Sequence, residues 1–173
     1  MMNNKTIHDI QTLEMRFPYM FRPPVISMAY YCGWFPDFVD LCFELDAALG
    51  DYKPCFQWVQ IKEKMGGYRM HFFMLPEGYM DDVGEGEVVL SDHFVCVRQE
   101  AHRIVGLASL RMKDKCCVCG EFAVVADHGT TLVNLCNFHL PAARAARGDM
   151  RSLRELTAVP ATPQDINVWR PSS

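Results

Sequence analysis

The sequence predicts an α+β protein, a small antiparallel hairpin sheet packed with two helices and followed by a compact metal-binding module. Three observations carry that expectation. Apolar residues recur at helical spacing over 38–49 and 94–112, β-branched and aromatic residues flank the pair Gly66-Gly67, and two Cys/His pairs follow within residues 116–139.

Composition sets the frame. The 173 residues are 50% hydrophobic and 22% charged, which excludes a disordered or fibrous chain and is enough for one domain with a small module attached. No apolar run is long enough to span a bilayer, and the polar start Met1 to Thr6 is not followed by a signal-peptide stretch, so a cytoplasmic location in the host cell and no membrane partner are expected. In that reducing compartment the eight cysteines are not expected to form a disulfide framework. Cys32, Cys42, Cys55 and Cys96 sit among apolar neighbours and read as small core residues. Charge is uneven: residues 1–139 carry 12 Lys+Arg against 18 Asp+Glu, and residues 140–173 carry 5 against 3.

Four prolines among aromatics over residues 18–36 point to an extended lead-in lying across the core. The first helix is placed from Pro36 and Asp37, which suit a first turn, through Phe38, Leu41, Cys42, Leu45 and Leu49 to a stop at Gly50. Two strands follow, Cys55 to Lys64 and Tyr68 to Met74, with Gly66-Gly67 supplying positive φ in the turn between them. Residues 76–87 hold five acids and no base and read as an exposed acidic loop. Ser91 then caps the second helix, whose apolar stripe runs through Phe94, Val97, Ala101, Ile104, Val105, Ala108 and Met112.

The strongest chemical signal comes next. Cys116 and Cys119 form one C-x-x-C pair ahead of Gly120, and Cys136 and His139 form a second pair after 16 intervening residues. Thiolate and imidazole ligands at this spacing suit tetrahedral zinc, and four protein ligands close the site, so a structural Zn2+ is expected. Cys117 is the alternative to Cys116, but a C-x-C bite is tighter, so Cys117 is expected to face outward or into the core. Residues 123–126 and 131–135 suit a short hairpin between the pairs, and Pro141 suits the first turn of a following helix with His139 or Leu140 as cap. The result is a treble-clef-like zinc module.

Three strings then stand out: Gly33-Trp34-Phe35-Pro36 with Leu41-Cys42, the hairpin Gln60 to Arg69, and Cys116 to Gly120 with Leu135 to His139. Together they resemble a family of small zinc-binding proteins of bacteriophages and prophages, over roughly residues 30 to 140. The chain departs from that pattern at Ile61, Met65 and Tyr68 and in a longer C-terminal tail. The resemblance implies a phage or mobile-element origin and a zinc site, and assigns no reaction.

Three further clusters suggest binding or catalysis. Lys62 and Lys64 share a strand face and flank the hairpin turn with Arg69, a grip for phosphate or an acidic partner, while Glu63 on the opposite face is a candidate buried partner for one of these cations. Arg144, Arg147, Arg151 and Arg154 recur at helical spacing, which suits nucleic acid or an acidic protein. Asp127-His128-Gly129 is similar to part of an HNH-type nuclease motif, but the stretch to Cys136 is short and no second ligand follows His128. No phosphate-cradling glycine motif, G-x-S-x-G elbow or Cys/His pair outside the zinc set is present.

The expected organisation is an α+β domain at 1–112, a zinc-binding module with a C-terminal helix at 113–158 and a flexible tail at 159–173. The expected function is non-catalytic: a zinc-binding phage or prophage accessory protein that engages a host or phage macromolecule, with a host-defence system as the proposed target. A nucleic-acid-binding zinc protein using the arginine stripe and a metal-dependent nuclease using Asp127 and His128 are the alternatives.

Overall fold

The computed structural model describes residues 7–25, 27–75, 90–128, 131–141 and 157–162. For His128 and Thr131 it describes the backbone alone. The acidic stretch 76–87 and the arginines at 144, 147, 151 and 154 lie outside the described residues.

A short helix absent from the sequence reading comes first. Helix α1, Ile10–Arg16, starts because the Asp9 carboxylate accepts the Thr12 backbone N–H at 2.8 Å and the Thr12 hydroxyl at 2.8 Å, supplying one of the orphan donors of a helix start. Pro18 then begins a 3-10 turn, Pro18–Phe21, and strand β1 is Ser27–Met28. The expected extended lead-in across the core is found only in part: residues 18–21 form the 3-10 turn, Met20 and Trp34 are buried, and residues 22–25 are exposed.

Helix α2, Phe35–Leu49, follows the expected stripe and buries Phe38, Leu41, Cys42, Leu45 and Leu49. Pro36 sits in its first turn, where a missing N–H costs nothing, and Gly50 ends it at φ +51°. A 3-10 segment, Gly50–Cys55, leads into β2, Phe56–Lys64, which pairs antiparallel with β3, Gly67–Met74, and parallel with β1. The sheet order is β1-β2-β3.

The hairpin turn corrects the sequence reading by one residue. Lys64 pairs with Gly67, so the two-residue loop is Met65-Gly66, at φ +54° and +77°, and not Gly66-Gly67. The register decides this. Pairing Ile61 with Met70 and Glu63 with Tyr68 turns Ile61, Tyr68 and Met70 into the core, which leaves two residues to close the turn with both φ positive.

Helix α3, Asp92–Met112, is capped by Ser91, whose Oγ accepts the Phe94 N–H at 3.2 Å. It packs on α2 and β3 through Phe94, Ala101, Ile104, Val105, Ala108 and Met112. Cys96 is exposed rather than in the core, because its position falls outside the apolar stripe of this helix; Cys32 and Cys55 are half-buried, and Cys42 is fully buried. The second sheet is the hairpin β4, Val124–His128, and β5, Thr131–Leu135.

A single hydrophobic cluster joins these parts. Trp34, Phe38, Trp58 and Tyr68 share it with Cys116, Cys117, Val133, Leu135 and Val159. Residues 157–162, which straddle the expected start of the tail, are packed onto the body: Cys32 N–H bonds the Thr157 carbonyl, and the Ile10 and Gln11 N–H groups bond the carbonyls of Pro160 and Ala161 at 3.0 and 2.9 Å. No described helix is long and apolar enough to cross a membrane.

Candidate metal centre

The site is assembled from two tight turns at the ends of the β4–β5 hairpin. In the first, the Gly120 N–H bonds the Cys116 carbonyl at 2.9 Å and the Cys116 N–H bonds the Glu121 carbonyl at 2.7 Å. This knuckle requires φ +82° at residue 120, which glycine supplies without a Cβ penalty. In the second, the N–H groups of His139 and Leu140 bond the Cys136 carbonyl, and residues 139–141 begin a helical turn. Pro141 lies in the first turn as expected, where a helix tolerates a missing N–H, but His139 and Leu140 already belong to that turn and do not cap it.

These turns bring the ligand atoms of Cys116, Cys119, Cys136 and His139 to within 4.8 Å of one another. Cys119 Sγ lies 3.7 Å from Cys136 Sγ, and His139 Nδ1 lies 3.6 Å from Cys116 Sγ and 3.2 Å from Cys136 Sγ. A tetrahedron with metal–sulfur bonds of ~2.3 Å and metal–nitrogen bonds of ~2.0 Å has edges of about 3.5 to 3.8 Å. The four atoms fit one metal ion.

Cys136 and His139 are shifted toward the deprotonated forms that a metal ion requires. Burial alone would raise the Cys136 thiol, but the backbone N–H groups of His139 and Phe138 and the neighbouring Cys119 and Cys116 thiols hold it below the ordinary cysteine value. Burial pushes the Cys119 thiol up. Burial also lowers His139, favouring the neutral imidazole that a metal ion requires.

Cys117 does not join the cluster. It is fully buried, its N–H bonds the Asn134 carbonyl at 2.9 Å, and burial raises its thiol well above the ordinary range. It is a core residue.

What the sequence reading missed is how the body builds this site. Gly33, at the entry to α2, donates its N–H to the Cys117 carbonyl at 3.0 Å, and a Cβ placed there would fall 2.1 Å from the Cys116 carbonyl oxygen. A Cβ at Gly120 would in turn lie 2.9 Å from the Gly33 oxygen, so two glycines let two backbones touch. Beside them the Trp34 indole donates to the Lys115 carbonyl at 2.8 Å, the Lys115 ammonium pairs with Asp37 at 2.7 Å, and the Cys32 thiol donates to the Val118 carbonyl. The Gly-Trp string was visible; its distant contact was not.

The cluster has an exposed side. An apolar pocket of about 480 Å³ adjoins it, walled by Phe35, Pro36, Val118 and Val159 together with Cys119 and His139.

The other candidate residues fall elsewhere. Lys62 lies directly across the hairpin from Arg69, with Lys64 paired to Gly67 beside the turn, so these three cations do come together. Glu63 is not their partner: its Oε1 accepts the Gly66 N–H at 2.6 Å inside the turn. Asp127 and His128 are the last two residues of β4, opposite Leu132 and Thr131; the side chain of His128 lies outside what is described.

The fold and site thus define a class, an α+β protein with a cluster of three cysteines and one histidine able to hold a metal ion. Comparison of the chain with protein-family models, with curated proteins and with solved structures gives no match.

Proposed function

We propose that Cys116, Cys119, Cys136 and His139 hold one structural zinc ion, and that the chain is a non-catalytic binding protein whose surface that ion helps to shape. The supporting observation is the convergence of four ligand atoms within 4.8 Å, on turns that pack by backbone contact against the start of α2. Three sulfurs and one imidazole favour zinc over the harder cations, and a full ligand set leaves no position for substrate or water. Zinc would then act as a cross-link that holds the β4–β5 hairpin on the α2 entry, and would not act as a reagent.

The wider role follows from the resemblance: an accessory protein of a phage or prophage that engages a host or phage protein, with a host-defence component as the proposed target. Elemental analysis of purified protein tests the first part, with one zinc per chain expected and loss of folded signal in a strong chelator. Affinity purification from infected host cells tests the second; recovery of a stoichiometric protein partner supports it. A chain that folds without metal, or that nicks plasmid with Mg2+, overturns the reading.

A further inference from the structure

Strand β3 ends its sheet. In the described residues it pairs with β2 alone, so its other edge is open. The two-residue turn makes Lys64 and Gly67 a hydrogen-bonded pair, and pairs alternate along an antiparallel ladder, so Lys62 with Arg69 is the next bonded pair. The N–H and C=O groups of Tyr68 and Met70 therefore point away from β2, and no backbone bond outside the ladder claims them among the described residues.

They face a groove of about 510 Å³ whose far wall is α3, contributed by Gly106, Ser109, Leu110 and Lys113, one face of the helix. The wall is cut away for this space: a Cβ added at Gly106 would have nothing within 4 Å. The rim is cationic. Lys64, Arg69 and Lys113 line it, Lys62 lies directly across from Arg69, and none of the four joins an ion pair in the described residues. Like charges set opposite each other destabilise a hairpin, which argues for a ligand that compensates them. Leu110 and Met65, 65% and 70% exposed, add apolar contact at the groove mouth.

From this juxtaposition we infer that the groove between β3 and α3 captures an extended, acidic segment of another protein by strand addition. An incoming strand lies ~4.8 Å from its neighbour, takes the two free N–H/C=O pairs, and sets alternate side chains against the α3 wall and the cationic rim. Nucleic acid fits less well. The Tyr68 ring is buried with its hydroxyl on the Ala29 carbonyl, so the groove offers no phenol on which a base could stack. A second copy of the chain fits less well again, because edge-to-edge pairing would set Arg69 and Lys64 against the same cations.

The inference deepens the binding role proposed above by naming its surface and partner chemistry, and rests on that reading. Its test is selection of short random peptides displayed on a carrier against the full zinc-loaded chain, with Ser109→Trp, which fills the groove, as counter-selection. Zinc content and circular dichroism confirm that the variant folds. Enrichment of Asp- and Glu-rich peptides is expected. Their affinity should fall by about tenfold or more in Arg69→Glu/Lys113→Glu, the scale of a lost interface anchor. N-methylation of the peptide amides on one alternating set should abolish binding while the other set tolerates it, and the Tyr68 and Met70 amides should exchange more slowly in the complex. Peptides without acidic preference, binding unchanged by Ser109→Trp or by either N-methyl set, or displacement by an oligonucleotide would overturn the inference. Retention of a cellular partner by Ser109→Trp would remove this surface and leave the wider binding role standing.

Discussion

Replacing Gly33 by alanine adds one methyl group and tests how the body and the metal site are joined. The new Cβ would stand 2.1 Å from the Cys116 oxygen, 2.6 Å from the Gly120 nitrogen and 2.8 Å from the Cys119 nitrogen, all backbone atoms of the knuckle. These lie roughly 0.6 to 1.3 Å inside van der Waals contact, and a turn tied by its own hydrogen bonds cannot swing aside as a flexible side chain would. Relief requires the knuckle to lift from α2. That stretches the Gly33 to Cys117 hydrogen bond and disturbs the Trp34 indole on the Lys115 carbonyl. Overpacking of ~1 to 3 kcal/mol plus ~1 kcal/mol for the strained bond gives an expected loss of about 3 kcal/mol. Urea unfolding of the zinc-loaded protein, followed by fluorescence of the buried Trp34 and Trp58, measures it. Competition with a chromophoric chelator should show weaker zinc binding in the variant as well. Stability within ~0.5 kcal/mol of the parent and an unchanged chelator titration would refute the coupling.

Five other substitutions probe separate points. Gly106→Ala, in helix α3 with open space around it, should stabilise the chain by ~0.5 to 1 kcal/mol in the same urea assay. Met65→Asn should raise stability by a few tenths to ~1 kcal/mol, because Met65 holds φ +54° while 70% exposed and asparagine tolerates that region better. Cys136→Ala should abolish stoichiometric zinc in elemental analysis, whereas Cys117→Ala should keep one zinc per chain and cost about 1 kcal/mol of packing. Burial raises the Glu63 carboxyl, against the opposing Gly66 N–H, so the folded state holds that proton more tightly than the unfolded state. The stability this contributes is present at acid pH and lost as pH rises through the raised value, so Glu63→Gln should gain on the parent at neutral pH and not below the carboxylate range, read as urea midpoints across pH.

The elements legible in the sequence were those whose signal is local. Helix α2 showed its start at Pro36 and its stop at Gly50, helix α3 its Ser91 cap and its stripe, and the four residues of the Cys/His cluster their spacing. Helix α1 has too few apolar repeats in its seven residues to register in the sequence, although Asp9 and Thr12 form a readable cap. The turn was misplaced by one residue because Gly66-Gly67 satisfies turn chemistry equally well, and only the cross-strand register of buried Ile61 and Met70 decides between the two loops. Strand β1, with two residues, has no sequence signature; it exists because Ser27 and Met28 meet Gln60 and Ile61. The contact of Gly33 with residues 116–120 was illegible for the same reason, since nothing in a string of letters says which distant backbone a glycine admits.

The bonds from Ile10 and Gln11 to Pro160 and Ala161 have a mechanical consequence. They fasten the front of the molecule to its far end, so the path between them is a closed loop that encloses both sheets and the cysteine cluster. Tension applied through the two extremities would load this clasp before reaching the interior, and a peptide bridge between positions close to it should be accommodated, which makes new termini at an exposed turn a practical way to tether the protein for single-molecule work.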